Sequence, residues 1–390
     1  MKKIAVILFL LCLLYNSCKK QDIVTIDVDP IISRSVTLDD IYENPVFIQL
    51  ETREDALIYE VTGLEIFNNR IYIHDVMNFG FLFCFDMQGK LLYKIANHGR
   101  GAGELMASFA LDRENKFLWV ADDYLDITKY DLDGNFIDKY KVEFSVRDVS
   151  VVPKTDDILV FGVGYHKGKD YGAAIYDMKN DTYITHRYYI SELERQVRQK
   201  SFSSFQDQVV YGFGYTDTIF TVDSLAFKPR YALNFGKYKI SDRMLFDPNT
   251  DKIRKEVRDP SKNYVGEVSR VIETDDYVKF IYPFRGKHML ALYSKSKKKL
   301  VNLSQVLIDG KEQELMNIYD AFGDNQFYSA LYSQHISDSR EGTLEHQQAP
   351  RYGVYKDINQ LKSVIRKNDN PVIVVGKGHI DALFEKIDPD

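Results

Sequence analysis

Short apolar runs of about four to eight residues, rich in Val, Ile, Tyr and Phe and bounded by Gly, Asn and Asp, recur along most of the chain. That pattern predicts β-strands joined by turns. Two stretches align with each other: NNRIYIHDVMNFGFLFCFDMQGKLLYKI, starting at Asn68, and NKFLWVADDYLDITKYDLDGNFIDKYKV, starting at Asn115. Each has a turn, an apolar strand ending in Asp (Asp75, Asp122) and a loop. A strand ending in an aromatic-Asp pair follows (Phe85-Asp86, Tyr130-Asp131), then a Gly turn and another strand.

Weaker copies of the unit start near Ile158, Val209, Tyr277 and Gln326. Counted from Ile71 and Leu118 onward, the intervals are about 47, 40, 51, 68 and 49 residues, which bracket the ~40–50 residues of a four-stranded propeller blade. Six units of this kind predict an all-β fold, a six-bladed β-propeller with four-stranded antiparallel blades and a few short helices. The innermost strands are expected in runs such as 61–66 and 146–151. The polar stretch from Lys237 to Lys262 reads as an insertion in the long fourth interval, and helices are expected over 190–199 and within 355–367, the latter ended by Asn370-Pro371. Two strands from opposite termini, 371–375 and 45–50, are the candidates for closing the ring.

The first twenty residues read as an address. Lys2 and Lys3 precede the apolar run Ile4 to Leu14, too short to span a bilayer, which needs about 20 residues, and suited to the core of a signal peptide. Tyr15-Asn16-Ser17-Cys18 resembles a bacterial lipobox, with Tyr15 where Leu is usual. The expected organisation is a lipoprotein signal peptide at 1–17, a lipid-anchored tether at 18–40 and the propeller at 41–390. The expected partner at this end is a membrane, reached through acylated Cys18 at the cell envelope, with the outer membrane as the expected site. Ordinary signal cleavage with Cys18 as a bystander is the alternative.

Composition narrows the picture. The 27 Tyr and 24 Phe against one Trp suit half-buried pleated surfaces. A net charge of −6 spread over 51 basic and 57 acidic residues favours no nucleic-acid partner. With Cys12 removed with the signal, Cys18 and Cys84 leave no disulfide framework, and Cys84 in a run of Phe and Leu reads as a buried apolar residue. The basic run at Lys295, Lys297, Lys298 and Lys299 reads as a hairpin turn.

The lipobox, the repeated strand-Asp-loop-aromatic-Asp-x-x-Gly unit, the loop Gly99-Arg100-Gly101-Ala102-Gly103-Glu104 and the segment Asp369-Asn370-Pro371-Val372 together resemble the six-bladed β-propeller lipoproteins of Bacteroidota, whose blade pattern is similar to that of NHL-repeat propellers. The resemblance covers essentially the whole mature chain, with Ala102 standing where Pro is usual. It implies a fold and an address rather than an activity.

No motif commits the chain to a reaction. The glycines at 99, 101 and 103 lack the Lys-Ser or Lys-Thr and the βαβ setting of a phosphate loop. Asp131-Leu132-Asp133-Gly134-Asn135 starts like a calcium loop, but Val142 stands where the bidentate Glu belongs, so a hairpin turn is expected. The eight histidines show no paired metal-ligand spacing, and no cofactor or metal is expected. In a four-stranded meander the loops between the second and third strands share a face with the crossings between blades. That face carries the candidate ligand-binding residues Asp122, Tyr124, Tyr165, His166, Tyr215, Arg285 and His288, aromatic rings and hydrogen-bonding groups suited to a glycan, a peptide or a partner protein. A non-enzymatic binding or scaffold protein is the first expectation. A metal-dependent lyase or hydrolase, with His74, Asp75, His166 and His288 as ligand candidates, is the alternative, and a purely structural envelope component is a third.

Overall fold

The computed structural model describes residues 23–77, 80–96, 106–122, 125–142, 146–163, 165–166, 169–188, 191–195, 202–212, 214–308, 311–314, 318–323, 326–336, 351–378 and 383–384. They form six sheets arranged as a six-bladed β-propeller. Blade one is a meander of Gly63–Phe67, Arg70–Asp75, Phe81–Asp86 and Leu91–Ile95. Blade two uses Met106–Asp112, Phe117–Asp122, Asp126–Asp131 and Phe136–Lys141. Blade three uses Val146–Val151, Ile158–Val163, Lys169–Asp177 and Thr182–Tyr188.

Turn chemistry explains why these stretches fold locally. The first hairpin of blade one turns through Asn68 and Asn69, both with positive φ, as a tight hairpin requires. The third-to-fourth turns repeat one device: Asp86 accepts from the amides of Gln88 and Lys90, Asp131 from those of Asp133 and Asn135, and Asp177 from those of Lys179 and Asn180. The expected turn at Asp131–Asn135 is therefore present. Gly89 has φ +86°, and a Cβ there would lie 2.1 Å from the carbonyl oxygen of Gln49; only glycine lets this turn approach blade six.

Blades four to six are built differently. Blade four has Phe202–Phe205, Gln208–Tyr211, Thr218–Asp223 and Ala226–Asn234, and Val24–Asp27 adds a fifth strand parallel to the last. Blade five has Ser269–Glu273, Tyr277–Phe284, Lys287–Ser294 and Lys299–Ile308, with Arg34–Thr37 again parallel to its outer strand. The segment from Ile23 to residue 40, expected to be part of a tether, is thus a correction: it lies on the propeller as a strap, because alternation of exposed and buried positions around Ile26 and Val36 gives each short strand an apolar face to bury.

Blade six joins both termini. Ile318–Gly323 and Gln326–Leu331 pair with Val372–Gly378, which pairs with the N-terminal strand Tyr42–Thr52, and Arg351–Tyr355 adds at the outside. The two candidate closing strands both take part, facing each other with Val372 opposite Gln49 and Val374 opposite Phe47. Asn370 clasps the joint: its amide nitrogen donates to the carbonyls of Glu51 and Ala56, its side-chain oxygen accepts from Ile58, and its backbone amide donates to Thr52.

Six apolar clusters fill the six seams between neighbouring blades. Cys84, Phe109 and Leu118 lie between blades one and two, Trp119, Val149 and Phe161 between two and three, and Phe280, Tyr282 and Tyr231 between four and five. Each such side chain taken fully from water contributes roughly 1.5–3 kcal/mol. Cys84 is buried and free, as expected, and burial pushes its thiol up to about 11. Near the channel Asp148 ties three blades together, accepting from the Ser108 hydroxyl of blade two and the Phe202 amide of blade four.

Short helices decorate the propeller. The expected insertion at 237–262 carries Asp242–Leu245 and Thr250–Arg258, the second capped by Asn249 and burying Ile253 and Val257. Of the helix expected over 190–199, the described part is Glu192–Arg195. The expected C-terminal helix is Ile358–Val364, capped by Asp357. The Lys295–Lys299 run is the expected hairpin, with Ser294 opposite Lys299.

Candidate functional site

The second and third strands of each blade meet on one face, here the loop face, and the crossings between blades leave from the same face; the third-to-fourth hairpins lie on the opposite one, the hairpin face. In blade five the loop is the short turn Arg285-Gly286. In blade six it is the whole excursion from 332 to 371.

Asp122 ends the second strand of blade two and is buried, accepting from the backbone amide of Asp126. It closes the loop over which it stands. Tyr215 is half-buried beside the small core of Leu193, Ile240, Leu245, Ile253 and Val257, beneath the insertion helices. Its hydroxyl donates to Glu267 at 3.4 Å, and burial raises its pKa above that of an ordinary tyrosine. Arg285 is exposed, donates from Nε to Asn263 at 2.8 Å and lies over Phe284. His288 is partly exposed at the start of the third strand of blade five, opposite Pro283. The backbone of Tyr165 and His166 forms a short strand paired with Asp170 and Lys169. Tyr124 and Cys18 lie outside the described residues.

The metal-ligand candidates of blade one have structural roles. His74 is buried, its Nδ1 bonded to the Thr62 hydroxyl at 3.1 Å and its ring edge-on to Phe109 across the seam. The buried carboxylate of Asp75 accepts from the amides of Tyr59, Glu60 and Met77. Among the described residues, no three His, Cys, Asp or Glu side chains are grouped to hold a metal ion.

The feature that residue-type reasoning missed is what Asp75 holds in place. By gathering amides from two loops, it fixes the crossing from blade six and the loop of blade one side by side. Tyr59 and Met77, 66% and 68% exposed, and Val76 are displayed outward there, with Leu125 exposed on the next blade. A buried carboxylate satisfied by three amides is a rigid support, since leaving any of these groups unpaired costs about 1–3 kcal/mol. The sequence signal was two apolar residues directly after a strand-ending Asp, where a loop would be polar.

A family model described as Domain of unknown function (DUF4934) matches residues 23–377. No curated protein matches the chain. Among solved structures, the chain is similar to a Bacteroides fragilis protein described as exported, with 17% identity, a TM-score of 0.65, and coverage of 91% of this chain and 99% of that one. That likeness shows the fold. The structure of U3-55K is similar at 10% identity and a TM-score of 0.46, covering 86% of this chain and 99% of that one, too distant for any argument.

Proposed function

The chain belongs to the DUF4934 family, and from that premise, which brings no activity with it, we propose that the protein is an exported, lipid-anchored propeller that binds a peptide or partner protein on the loop face of blade one. The observation that carries this reading is the exposed apolar group of Tyr59, Val76 and Met77 held rigidly on buried Asp75. The tyrosine ring supplies contact area at low entropic cost, and the flexible thioether of Met77 adapts to the shape of what it meets. A glycan site would instead need hydrogen-bonding side chains converging around the ring, and here the nearest buried carboxylate is taken up by backbone amides. The apolar segment before Cys18 and the exported description of the Bacteroides fragilis neighbour support an extracytoplasmic setting, and Cys18 supplies the anchor.

The test is a screen of the mature protein against peptide and glycan arrays, repeated with Tyr59→Ala combined with Met77→Ser. Retained thermal unfolding and at least tenfold weaker peptide binding are expected. A glycan ligand indifferent to the double substitution would refute the reading.

A further inference from the structure

We infer that the outer rim of blades four and five, where the strap lies, is a membrane-contacting surface, one that seats the protein on an anionic phospholipid bilayer with the blade-one loop cluster on the far side of the ring. This rests on the proposed anchor at Cys18 for its setting and on the strap for its geometry.

Val24–Asp27 runs parallel to the outer strand of blade four, with Val24 opposite Tyr231 and Asp27 opposite Asn234. That outer strand rises from the hairpin at Asp223–Ala226 to the loop face. Cys18 stands six residues before Val24, a contour of at most about 20 Å. An acyl chain on Cys18 thus holds the rim of blade four close to the lipid. In a six-membered ring blade one lies diametrically across from blade four.

The surface along this rim has the chemistry of a bilayer contact. Ile23 and Val24 are about half exposed on the strap. Between the two strap strands a turn is bolted to blade five by buried Asn302, whose amide donates to the carbonyls of Asp29 and Ile32 while its oxygen accepts from the Tyr282 hydroxyl. The turn presents Ile31 and Ile32 outward, Ile32 at 72% exposure. The hairpin of blade five supplies the cations: Lys297, Lys298 and Lys299 are all exposed on the hairpin face. Apolar side chains flanked by lysines fit the interface of an anionic bilayer.

The full chain, expressed with its own signal and purified from membranes in detergent, is reconstituted into phosphatidylethanolamine–phosphatidylglycerol vesicles carrying a lipid-bound fluorescence quencher. A dye is placed on Ile32→Cys or Met77→Cys, which is selective because Cys84 is buried. At least threefold stronger quenching at position 32 than at 77 is expected; equal quenching, or stronger quenching at 77, overturns the inference. Mass spectrometry of the N-terminal peptide reports acylation of Cys18 separately. For a chain starting at Lys19, Ile31→Asp with Ile32→Asp, or Lys298→Glu with Lys299→Glu, is expected to weaken vesicle binding about tenfold. Loss of acylation with that effect retained removes the anchor and leaves the surface, whereas intact acylation with no such effect removes the surface and leaves the anchor.

Discussion

Blades one to three and blades four to six are made of the same four-stranded unit but held by different means. The first three are continuous meanders whose outer strands, Leu91–Ile95, Phe136–Lys141 and Thr182–Tyr188, end the sheets. Each of the last three gains a strand beyond the meander or takes one from the N-terminal segment. The exposed edge of blade two carries Asp138, Lys139 and Lys141, and charges at an edge discourage pairing with another chain. In blades four to six strand pairing replaces that protection. Local turns therefore suffice for one half, and contacts across hundreds of residues secure the other.

The largest effect is expected at the clasp. Asn370→Ala leaves Ile58 N–H and the carbonyls of Glu51 and Ala56 without their partner in a buried site and is expected to cost about 4 kcal/mol, read as a shift in the denaturation midpoint. A loss below about 1 kcal/mol, the size of a surface contact, would mean that the ring closes without the clasp.

The next effect compares ion pairs. Glu273 is fully buried between blades four and five, against Arg230 at 2.6 Å and Lys295 at 2.7 Å, with the Tyr231 hydroxyl donating to it. Glu273→Gln leaves two cations short of a partner and is expected to cost about 2–3 kcal/mol. Asp133, which pairs with Arg70 between blades one and two, is 70% exposed, and Asp133→Ala is expected to cost at most about 0.5 kcal/mol. Equal losses in thermal melts would erase the distinction between the halves.

The smallest effects are in pH dependence, and their signs differ. The bonds from Asn180 hold the carboxyl of Asp177 in blade three below the ordinary value. Its contribution is present above the unfolded pKa, about 3.9, and is lost as pH falls through the lower folded value. Asp369, beside the clasp of blade six, has its pKa raised by burial despite the bonds from Arg366 and Gln49. Its contribution is present below the unfolded value and is lost as pH rises through the folded one. Asp369→Asn is expected to gain on the wild type as pH rises above about 4, and the difference between Asp177→Asn and wild type to vanish at acid pH. Chemical denaturation across the acid and neutral range checks both.

The sequence was legible where structure is local. Blades one and two align because Asp86 and Asp131 cap equivalent turns, and the glycines at 89 and 134 supply the positive φ those turns need. Blade six was not legible as a unit, since its strands come from 318–331, 351–355, 372–378 and 42–52. The strap was missed because a four-residue strand such as VTID shows no periodicity until its partner is known. Tyr215 could be placed on the loop face by topology, but not beneath helices folded from residues 242–258. At blade one the sequence marks a loop after Asp75, but the outward display of Val76 and Met77 follows only from the amide bonds to that buried carboxylate.

The strap also sets a timetable. A ribosome delivers Asp27 long before Asn234, its partner 207 positions later, and Glu51 before Asn370, 319 positions later. Closing loops of that length is slow compared with forming a hairpin. The part of the protein made first is therefore the part that finds its place last. Blades one to three can assemble while the N-terminal strands wait, unpaired, for the final residues of the ring, and it is during that interval that a holding chaperone would have most to grip.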